Sequence, residues 1–166
     1  MKIMIFGSCG ITRLPQEVST AIYNYVMAGH EIIMADEKGV TDAASMLLSS
    51  IGANDKGTIY VLDREKYSNN FVEKRKRFKS EYDVESKVVS IHDEETGNLV
   101  EEIFDISEEG LENIKSETHY KELVRKQLIM DCDFGICVWD GDTKRDMNTV
   151  NRFAMIGKTC YVSTLA

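Results

Sequence analysis

The sequence predicts a single α/β domain built around a parallel β-sheet. Short, nearly continuous apolar runs alternate with longer segments whose apolar residues recur with the period of a helix. Glycines mark several of the boundaries between these segments, where strands and helices commonly end. The length of 166 residues fits one domain, and the 43% of hydrophobic residues suffices for a substantial core. We therefore expect one domain over residues 1–166.

The strands and helices follow from these patterns. The five apolar runs predict strands at Lys2–Phe6, Glu31–Met34, Thr58–Leu62, Phe134–Trp139 and Thr159–Ser163. The periodic segments predict helices at Gln16–Ala28, Thr41–Ile51, His119–Met130 and Met147–Ile156. In the second helix, Thr41 or Asp42 is the expected N-cap. Helices that connect strands imply right-handed crossovers and a parallel sheet, with strand order 3-2-1-4-5. This is a Rossmann-like arrangement.

The middle of the chain interrupts the alternation. Ser86–His92 and Leu99–Ile106 both alternate between apolar and polar residues, and the turn-forming run Glu94–Asn98 separates them. This pattern predicts a β-hairpin inserted at about residues 86–106. The preceding basic run, Glu73–Lys79, is interpreted as a solvated surface. From Asp93 to Glu117 acidic residues outnumber basic ones ten to one, which leaves open an interaction role for the hairpin.

The charge and the hydrophobic pattern of the sequence argue against nucleic acid and membrane as binding partners. The net charge of −8 disfavours non-specific binding to nucleic acid, which depends on Lys and Arg at phosphates. No apolar run approaches the ~20 residues that cross a bilayer, and because Met1–Phe6 is short and runs into a glycine loop, we expect no signal peptide. The four cysteines form no C-x-x-C pair and are expected as thiols in a reducing compartment. We expect a cytoplasmic protein with no membrane partner, no metal site and no cofactor.

The loop after the first strand is the first candidate for ligand binding. In a sheet of this order the chain reverses direction between the first and fourth strands, and ligands bind there, outside the carboxyl ends of the strands. Glycines let the backbone approach a phosphate, and a following helix N-terminus adds N–H groups. Ser8 and Thr12 add hydroxyls, and Arg13 adds a guanidinium. No His lies nearby in sequence to activate Cys9. The alternative is a tight turn without a ligand. The candidate contacts are Gly7, Ser8, Cys9, Gly10, Thr12 and Arg13.

Two further loops follow neighbouring strands. An acid after the second strand is suited to accept hydrogen bonds from a ribose hydroxyl, and Asp36 is the preferred candidate there. An Asp-Gly turn ends the fourth strand and precedes a basic pair and an asparagine. The alternative for this last loop is a solvated turn with ordinary helix capping by Asp146. The candidate contacts in the two loops are Asp36, Gly39, Asp140, Gly141, Lys144 and Asn148.

Three runs of the chain resemble the SLOG group of Rossmann-like nucleotide-binding proteins. They are Gly7–Pro15 (GSCGITRLP), Ala35–Ala44 (ADEKGVTDAA) and Met130–Lys158, whose most specific part is Ile136–Asp142 (ICVWDGD). The SLOG superfamily is similar to the Lonely Guy phosphoribohydrolases and, more distantly, to nucleoside deoxyribosyltransferases. It includes sensor domains that bind NAD-derived signals in bacterial antiphage systems. The resemblance implies a nucleotide-like ligand and a homo-oligomer.

Two departures from this family bear on activity. Relatives usually carry Gly-Thr after the Trp-Asp-Gly turn, where this chain has Arg145-Asp146. The enzymes place a catalytic Glu at the start of the last helix, where the run Asn148–Asn151 has no carboxylate. We therefore expect a protein that senses or sequesters a nucleotide or an NAD- or ADP-ribose-derived molecule. The alternatives are an N-glycosidase or deoxyribosyltransferase that uses Asp140 or Asp146, and an assembly protein that uses the acidic hairpin.

Overall fold

The computed structural model describes residues 1–62, 74–107, 109–110 and 117–165. The strands in this part of the chain are β1 (Lys2–Gly7), β2 (Glu31–Ala35), β3 (Gly57–Leu62), β4 (Lys74–Asp83), β5 (Val88–Asp93), β6 (Leu99–Ile103), β7 (Phe134–Trp139) and β8 (Cys160–Thr164). The α-helices are α1 (Gln16–Met27), α2 (Val40–Ser50), α3 (Glu117–Asp131) and α4 (Lys144–Met155). A 3-10 turn at Asn54–Lys56 precedes β3. The strands form one sheet in the order β6-β5-β4-β3-β2-β1-β7-β8.

The parallel half of this sheet has the predicted order. β3, β2, β1, β7 and β8 pair in parallel throughout. Since β7 and β8 are the fourth and fifth predicted strands, the order 3-2-1-4-5 is confirmed. β1 has β2 on one side and β7 on the other, so the chain reverses direction at β1. The fold is a Rossmann-like α/β fold, and its reversal point lies between β1 and β7.

Helices cover both faces of the parallel half. Ile3 and Ile5 of β1 belong to the core under α1 and α2, whereas Met4 and Phe6 belong to the core under α3 and α4. Successive side chains of a strand point to opposite faces, and here both faces are apolar. This burial on both faces explains why β1, β2 and β7 appear as continuous apolar runs, whereas β8, at the end of the sheet order, has no buried residue. None of the helices in the described ranges is long and apolar enough to cross a bilayer.

The insertion is larger than the predicted hairpin. β5 and β6 form that hairpin, and β4 joins it to the parallel half, pairing in parallel with β3 and antiparallel with β5. Residues 74–79 of the run Glu73–Lys79 belong to β4, where Lys79 is exposed, as a solvated surface requires, and Phe78 is buried. Glu73 lies outside the described residues. Phe78 anchors β4 to the core, because its ring is buried against the ring of Tyr60. Residues 108 and 111–116 of the acidic stretch also lie outside the described residues.

Three helices, α2, α3 and α4, begin earlier than predicted, α3 at Glu117 instead of His119. α2 begins at Val40 after the N-cap Gly39, not after Thr41 or Asp42. Gly39 has a backbone φ of +84°, which residues with a Cβ rarely adopt. This conformation redirects the chain into α2. α4 begins at Lys144, and Asp146 does not cap it: this residue is buried within the first turn. The reason lies in the buried contacts of Asp146 described below.

Candidate functional site

The loops that follow β1 and β7 are in contact at the carboxyl edge of the sheet. The backbone N–H of Ser8 donates to the carbonyl of Val138 at 3.1 Å, and the N–H of Asp140 donates to Ser8 Oγ at 3.1 Å. The structure thus brings together the two loops that the strand order places side by side. Ser8 is the residue that joins them.

The loop after β2 meets the same junction at Gly39. A Cβ at this position would lie 2.5 Å from the carbonyl oxygen of Ser8 and 2.6 Å from the carbonyl carbon of Cys9. Both neighbours are backbone atoms, so they cannot turn aside as a flexible side chain would. Only glycine therefore allows the loops after β1 and β2 to pack this closely.

A buried arginine ties the three loops together. Arg125 of α3 has a side chain that is 3% exposed. Its Nε and Nη2 donate to the two carboxylate oxygens of Glu37, each at 2.9 Å. Its Nη1 donates to Asp146 Oδ1 and Thr149 Oγ1, both at 3.0 Å, and Nη2 also donates to the Gly7 carbonyl at 3.4 Å. These five acceptors match the five N–H donors of a guanidinium.

The charge on Arg125 is stabilised despite its burial. Burial alone lowers the pKa of the guanidinium, but the carboxylates of Glu37 and Asp146 outweigh burial and raise it. The guanidinium carbon also lies 5.2 Å from the ring centroid of Phe6, a distance suited to a cation–π contact. Arg125 is therefore a permanently charged clamp under the carboxyl edge of the sheet.

Asp146 completes the link between the clamp and the loop after β1. Its Oδ2 accepts a hydrogen bond from Ser8 Oγ at 2.8 Å, and the residue has no exposed surface. The hydroxyl of Ser8 is thus used twice, as a donor to Asp146 and as an acceptor from the Asp140 N–H. Ser8 positions the two loops, and donation from its hydroxyl to a ligand would require the Ser8–Asp146 bond to break.

Arg145 forms the outer side of this network. Its Nη2 donates to Glu37 Oε1 at 2.6 Å, and its side chain is 23% exposed. Its Nε is buried without a hydrogen-bond partner among the described residues. A small cavity of about 50 Å³ lies beside it, between α3 and α4, lined by Glu122, Arg125, Arg145, Asn148, Thr149 and Arg152. Arg145 therefore pairs with Glu37 and lines the cavity between α3 and α4.

Asp140 uses its carboxylate to shape the loop after β7. Thr143 donates to it through its hydroxyl at 2.6 Å and its N–H at 2.8 Å, and the Asp142 N–H donates at 2.9 Å. Trp139 is half-buried, and its Nε1 donates to the Thr143 carbonyl at 2.9 Å. The hydroxyl and N–H of Thr143 and the N–H of Asp142 lower the pKa of Asp140 to about 2.

The turn at Asp140 is expected to weaken only in strongly acidic solution. Folding lowers the pKa of the Asp140 carboxyl from 3.8 to about 2. The ionised carboxylate therefore stabilises the folded protein at any pH above the unfolded-state pKa, and this stabilisation is lost as the pH falls through the folded-state pKa. The window therefore runs from about pH 4 down to about pH 2. An NMR titration of the Asp140 carboxyl carbon should show a midpoint near the lower limit. Thr143→Val should move that midpoint upward, and an unchanged midpoint in the variant would contradict the assignment.

The predicted contact residues fall into three groups by exposure. Asp36 is half-buried, and Gly7, Ser8 and Gly39 are buried inside the junction. The exposed members are Cys9, Gly10, Thr12, Arg13, Asp140, Gly141, Lys144 and Asn148. Most of these lie on the loops after β1 and β7, whereas Asn148 lines the α3–α4 cavity. The loops that bear the exposed groups are therefore held in place by the buried hydrogen bonds of Arg125 and Asp146.

Three helices begin at this edge without a capping side chain. The N-caps of α1, α2 and α4 are Pro15, Gly39 and Thr143, and none donates or accepts a side-chain cap hydrogen bond. The first N–H groups of a helix lack partners within the helix and carry the positive end of its dipole. The edge is therefore suited electrostatically to an anion, although the chain as a whole is acidic.

The buried network was not predicted from sequence. Glu37, Arg125 and Thr149 are not among the predicted contact residues, and the sequence suggests for Asp146 only a helix cap or a catalytic carboxylate. One signal could have indicated it: Asp146, Thr149 and Phe153 recur at helical spacing and form the buried face of α4. A carboxylate on such a face needs a buried cationic partner.

The comparisons with known proteins identify no relative of this chain. No protein-family model matches it, and neither the curated proteins nor the solved structures give a significant match. Within the described ranges, no group of three His, Cys, Asp or Glu residues is arranged to hold a metal ion.

Proposed function

We propose that this chain binds a nucleotide or an NAD- or ADP-ribose-derived molecule, as a sensor or a sequestering protein of the SLOG type. The observation that carries the proposal is the meeting of three strand-end loops at the chain reversal between β1 and β7. In open α/β sheets this is where nucleotides bind. The resemblance of the loop sequences to the SLOG group supports the same ligand class.

The phosphate end of the ligand is assigned to the loop after β1. Cys9, Gly10, Thr12 and Arg13 are exposed there, and the backbone hydrogen bonds described for this loop leave the N–H groups of these four residues available. A glycine with open space around it, Gly10, lets a phosphate approach the backbone closely. The guanidinium of Arg13 adds a planar, charged donor.

The sugar end is assigned to Asp36, and Lys144 at the start of α4 is assigned to the phosphates. Asp36 directly follows β2 and is half-buried, and its carboxylate accepts no hydrogen bond from the described residues. An acid at this position is suited to a ribose hydroxyl. Lys144 is exposed at the first position of α4 and supplies a second cation for a diphosphate.

The buried network favours binding over cleavage of an N-glycosidic bond. Such cleavage needs a carboxylate that stabilises or attacks the sugar carbon. Asp146 has no exposed surface, and its two oxygens accept from Arg125 and Ser8. The carboxylate of Asp140 accepts from Thr143 and Asp142. Asp146 cannot approach a sugar unless these bonds break. The exposed carboxylate of Asp140 is held in its own turn by three hydrogen bonds.

Calorimetry with AMP, ADP, a cyclic dinucleotide, ADP-ribose and NAD tests the proposal. We expect heat with at least one of them, and Arg13→Gln should weaken its binding about tenfold or more by removing a charge-assisted contact. Lys79→Gln, on the exposed surface of β4, is the matched control and should bind normally. No heat with any compound, or equal affinity of both variants, would refute the assignment. Release of a base from any compound would instead identify an enzyme.

Alkylation of Cys9 is expected to report ligand binding at the same loop. Cys9 is exposed, whereas Cys132 and Cys137 are buried and Cys160 is half-buried. Burial raises the pKa of Cys132 to about 11 and that of Cys160 to about 12, which keeps both as unreactive thiols near neutral pH. Iodoacetamide should therefore label one thiol rapidly, and the compound found by calorimetry should slow that labelling. The fast phase should be absent from Cys9→Ser, and a fast phase unaffected by ligand would place binding elsewhere.

A further inference from the structure

The small cavity between α3 and α4 is lined mainly by polar side chains, three of them guanidinium groups. Its volume is about 50 Å³. A single water occupies roughly 10–15 Å³ of such space, so the cavity has room for a group of several heavy atoms. Side chains three or four positions apart share one face of a helix, and both helices contribute lining residues at this spacing. These residues are Glu122 and Arg125 of α3 and Arg145, Asn148, Thr149 and Arg152 of α4.

Arg145 has donor capacity that the described residues do not use. Its Nη2 donates to Glu37 Oε1 at 2.6 Å, whereas its Nε is buried and has no acceptor among the described residues. A buried donor without a partner costs about 1–3 kcal/mol, so such a group normally binds an ordered water or an ion. The cavity that Arg145 lines is the space in which such a molecule can reach it.

The lining is rich in hydrogen-bond donors and poor in acceptors. Arg152 is exposed and forms no ion pair with any described carboxylate, so its five N–H donors add to the Nε of Arg145. The hydroxyl of Thr149 is already used, as a donor to the Arg145 carbonyl at 3.1 Å and as an acceptor from Arg125. The carboxylate of Glu122 is exposed, where solvent and salt screen its charge. A ligand made of acceptor atoms suits this balance better than water.

We propose that the α3–α4 cavity binds one phosphate-sized oxyanion, held by the guanidinium groups of Arg145 and Arg152 and the side-chain amide of Asn148. Hydrogen bonds from a guanidinium to an oxyanion are charge-assisted and about twice as strong as those between neutral groups. Binding breaks none of the contacts described above. Glu37 keeps its two bonds to Arg125, and Arg145 can accept the ion through Nε while its Nη2 stays on Glu37.

This inference goes beyond nucleotide binding and does not rest on it. The candidate phosphate contacts of the loop after β1 do not line the cavity, and Asn148 is the one predicted nucleotide contact that does. Substitutions at Arg13 and at Arg152 therefore act on different sites. A chain that binds no nucleotide can still bind the anion, so the two proposals succeed or fail separately.

Titration with sodium phosphate, followed in proton–nitrogen NMR spectra of the arginine Nε–H groups, tests the site. We expect the Arg145 signal to shift and saturate with a Kd of about 1 mM or lower. Arg152→Gln should weaken binding about fivefold or more, because it removes a charge-assisted contact. Glu122→Gln should tighten binding about twofold, because it removes a nearby negative charge. Lys126→Gln is the matched control: it removes a cation from the same helix, outside the cavity, and should bind normally.

The opposite effects of Arg152→Gln and Glu122→Gln distinguish anion binding from general damage to the fold. An Arg145 signal that stays in place up to about 20 mM phosphate would show that water alone occupies the cavity, and would overturn the proposal. Equal affinity of Arg152→Gln and the native chain would overturn it as well. Arg13→Gln should leave the Arg145 titration unchanged. If Arg13→Gln instead abolished it, phosphate would be bound at the loop after β1, and the α3–α4 site would be wrong while the nucleotide site stood.

Discussion

Arg125→Met is expected to lose about 3–5 kcal/mol of the free energy of unfolding. Methionine retains much of the volume of arginine and can still pack on Phe6, so the loss comes from charge rather than from a cavity. The variant leaves the carboxylates of Glu37 and Asp146 buried without their shared cation. Arg145 still reaches Glu37, so Asp146 bears most of the cost.

Two further variants distinguish a charge effect from general damage. Urea unfolding followed through the fluorescence of Trp139, the single tryptophan, gives each free energy. Arg152→Met, an exposed change on α4, should stay within about 0.5 kcal/mol of the native protein. Adding Glu37→Gln and Asp146→Asn to Arg125→Met should recover more than half of the loss, because the stranded charges are then absent. A loss below about 1 kcal/mol in the single variant would show that the network does not hold the loops.

The central strands of the parallel half were predictable because they are buried on both faces. β1 and β7 consist almost entirely of buried residues, so their sequences stand out as apolar runs. β4 has the opposite character: Phe78 and Tyr82 are the only apolar residues in its sequence KRKRFKSEYD, and both pack in the core. Its pairing with β3 and β5 on either side fixes it as a strand, and that pairing has no signature in the local sequence.

The position of the candidate site was predictable and the network beneath it was not. Parallel strands end at one edge, so the loops after β1, β2 and β7 had to be neighbours once the strand order was known. The contact of Arg125 with Glu37 joins residues 88 positions apart, and that with Gly7 joins residues 118 apart. An arginine in an otherwise amphipathic helix resembles any solvated arginine until the tertiary structure buries it.

Gly39→Ala is expected to cost about 2–5 kcal/mol and to displace the loop after β1. The first part of the cost is conformational, since φ of +84° disfavours any residue with a Cβ by about 1–2 kcal/mol. The second part is steric, because the added Cβ would lie 2.5 Å from the Ser8 carbonyl oxygen and overpacking costs about 1–3 kcal/mol. The backbone of Ser8 and Cys9 must move to relieve the overlap. Alkylation of Cys9 should therefore change in rate together with the loss of stability.

Two other glycines separate the conformational cost from the steric one. Gly97 has φ of +72° and open space where a Cβ would go, so Gly97→Ala should show the conformational cost alone, about 1–2 kcal/mol. Gly10 lies in the candidate loop with an ordinary φ and open space, so Gly10→Ala should leave stability nearly unchanged. The excess of Gly39→Ala over Gly97→Ala then measures how tightly the loops after β1 and β2 are packed. If both variants lost the same free energy of unfolding, the loops after β1 and β2 would not be in firm contact. The proposal that these loops form a rigid support for the ligand site would then be wrong.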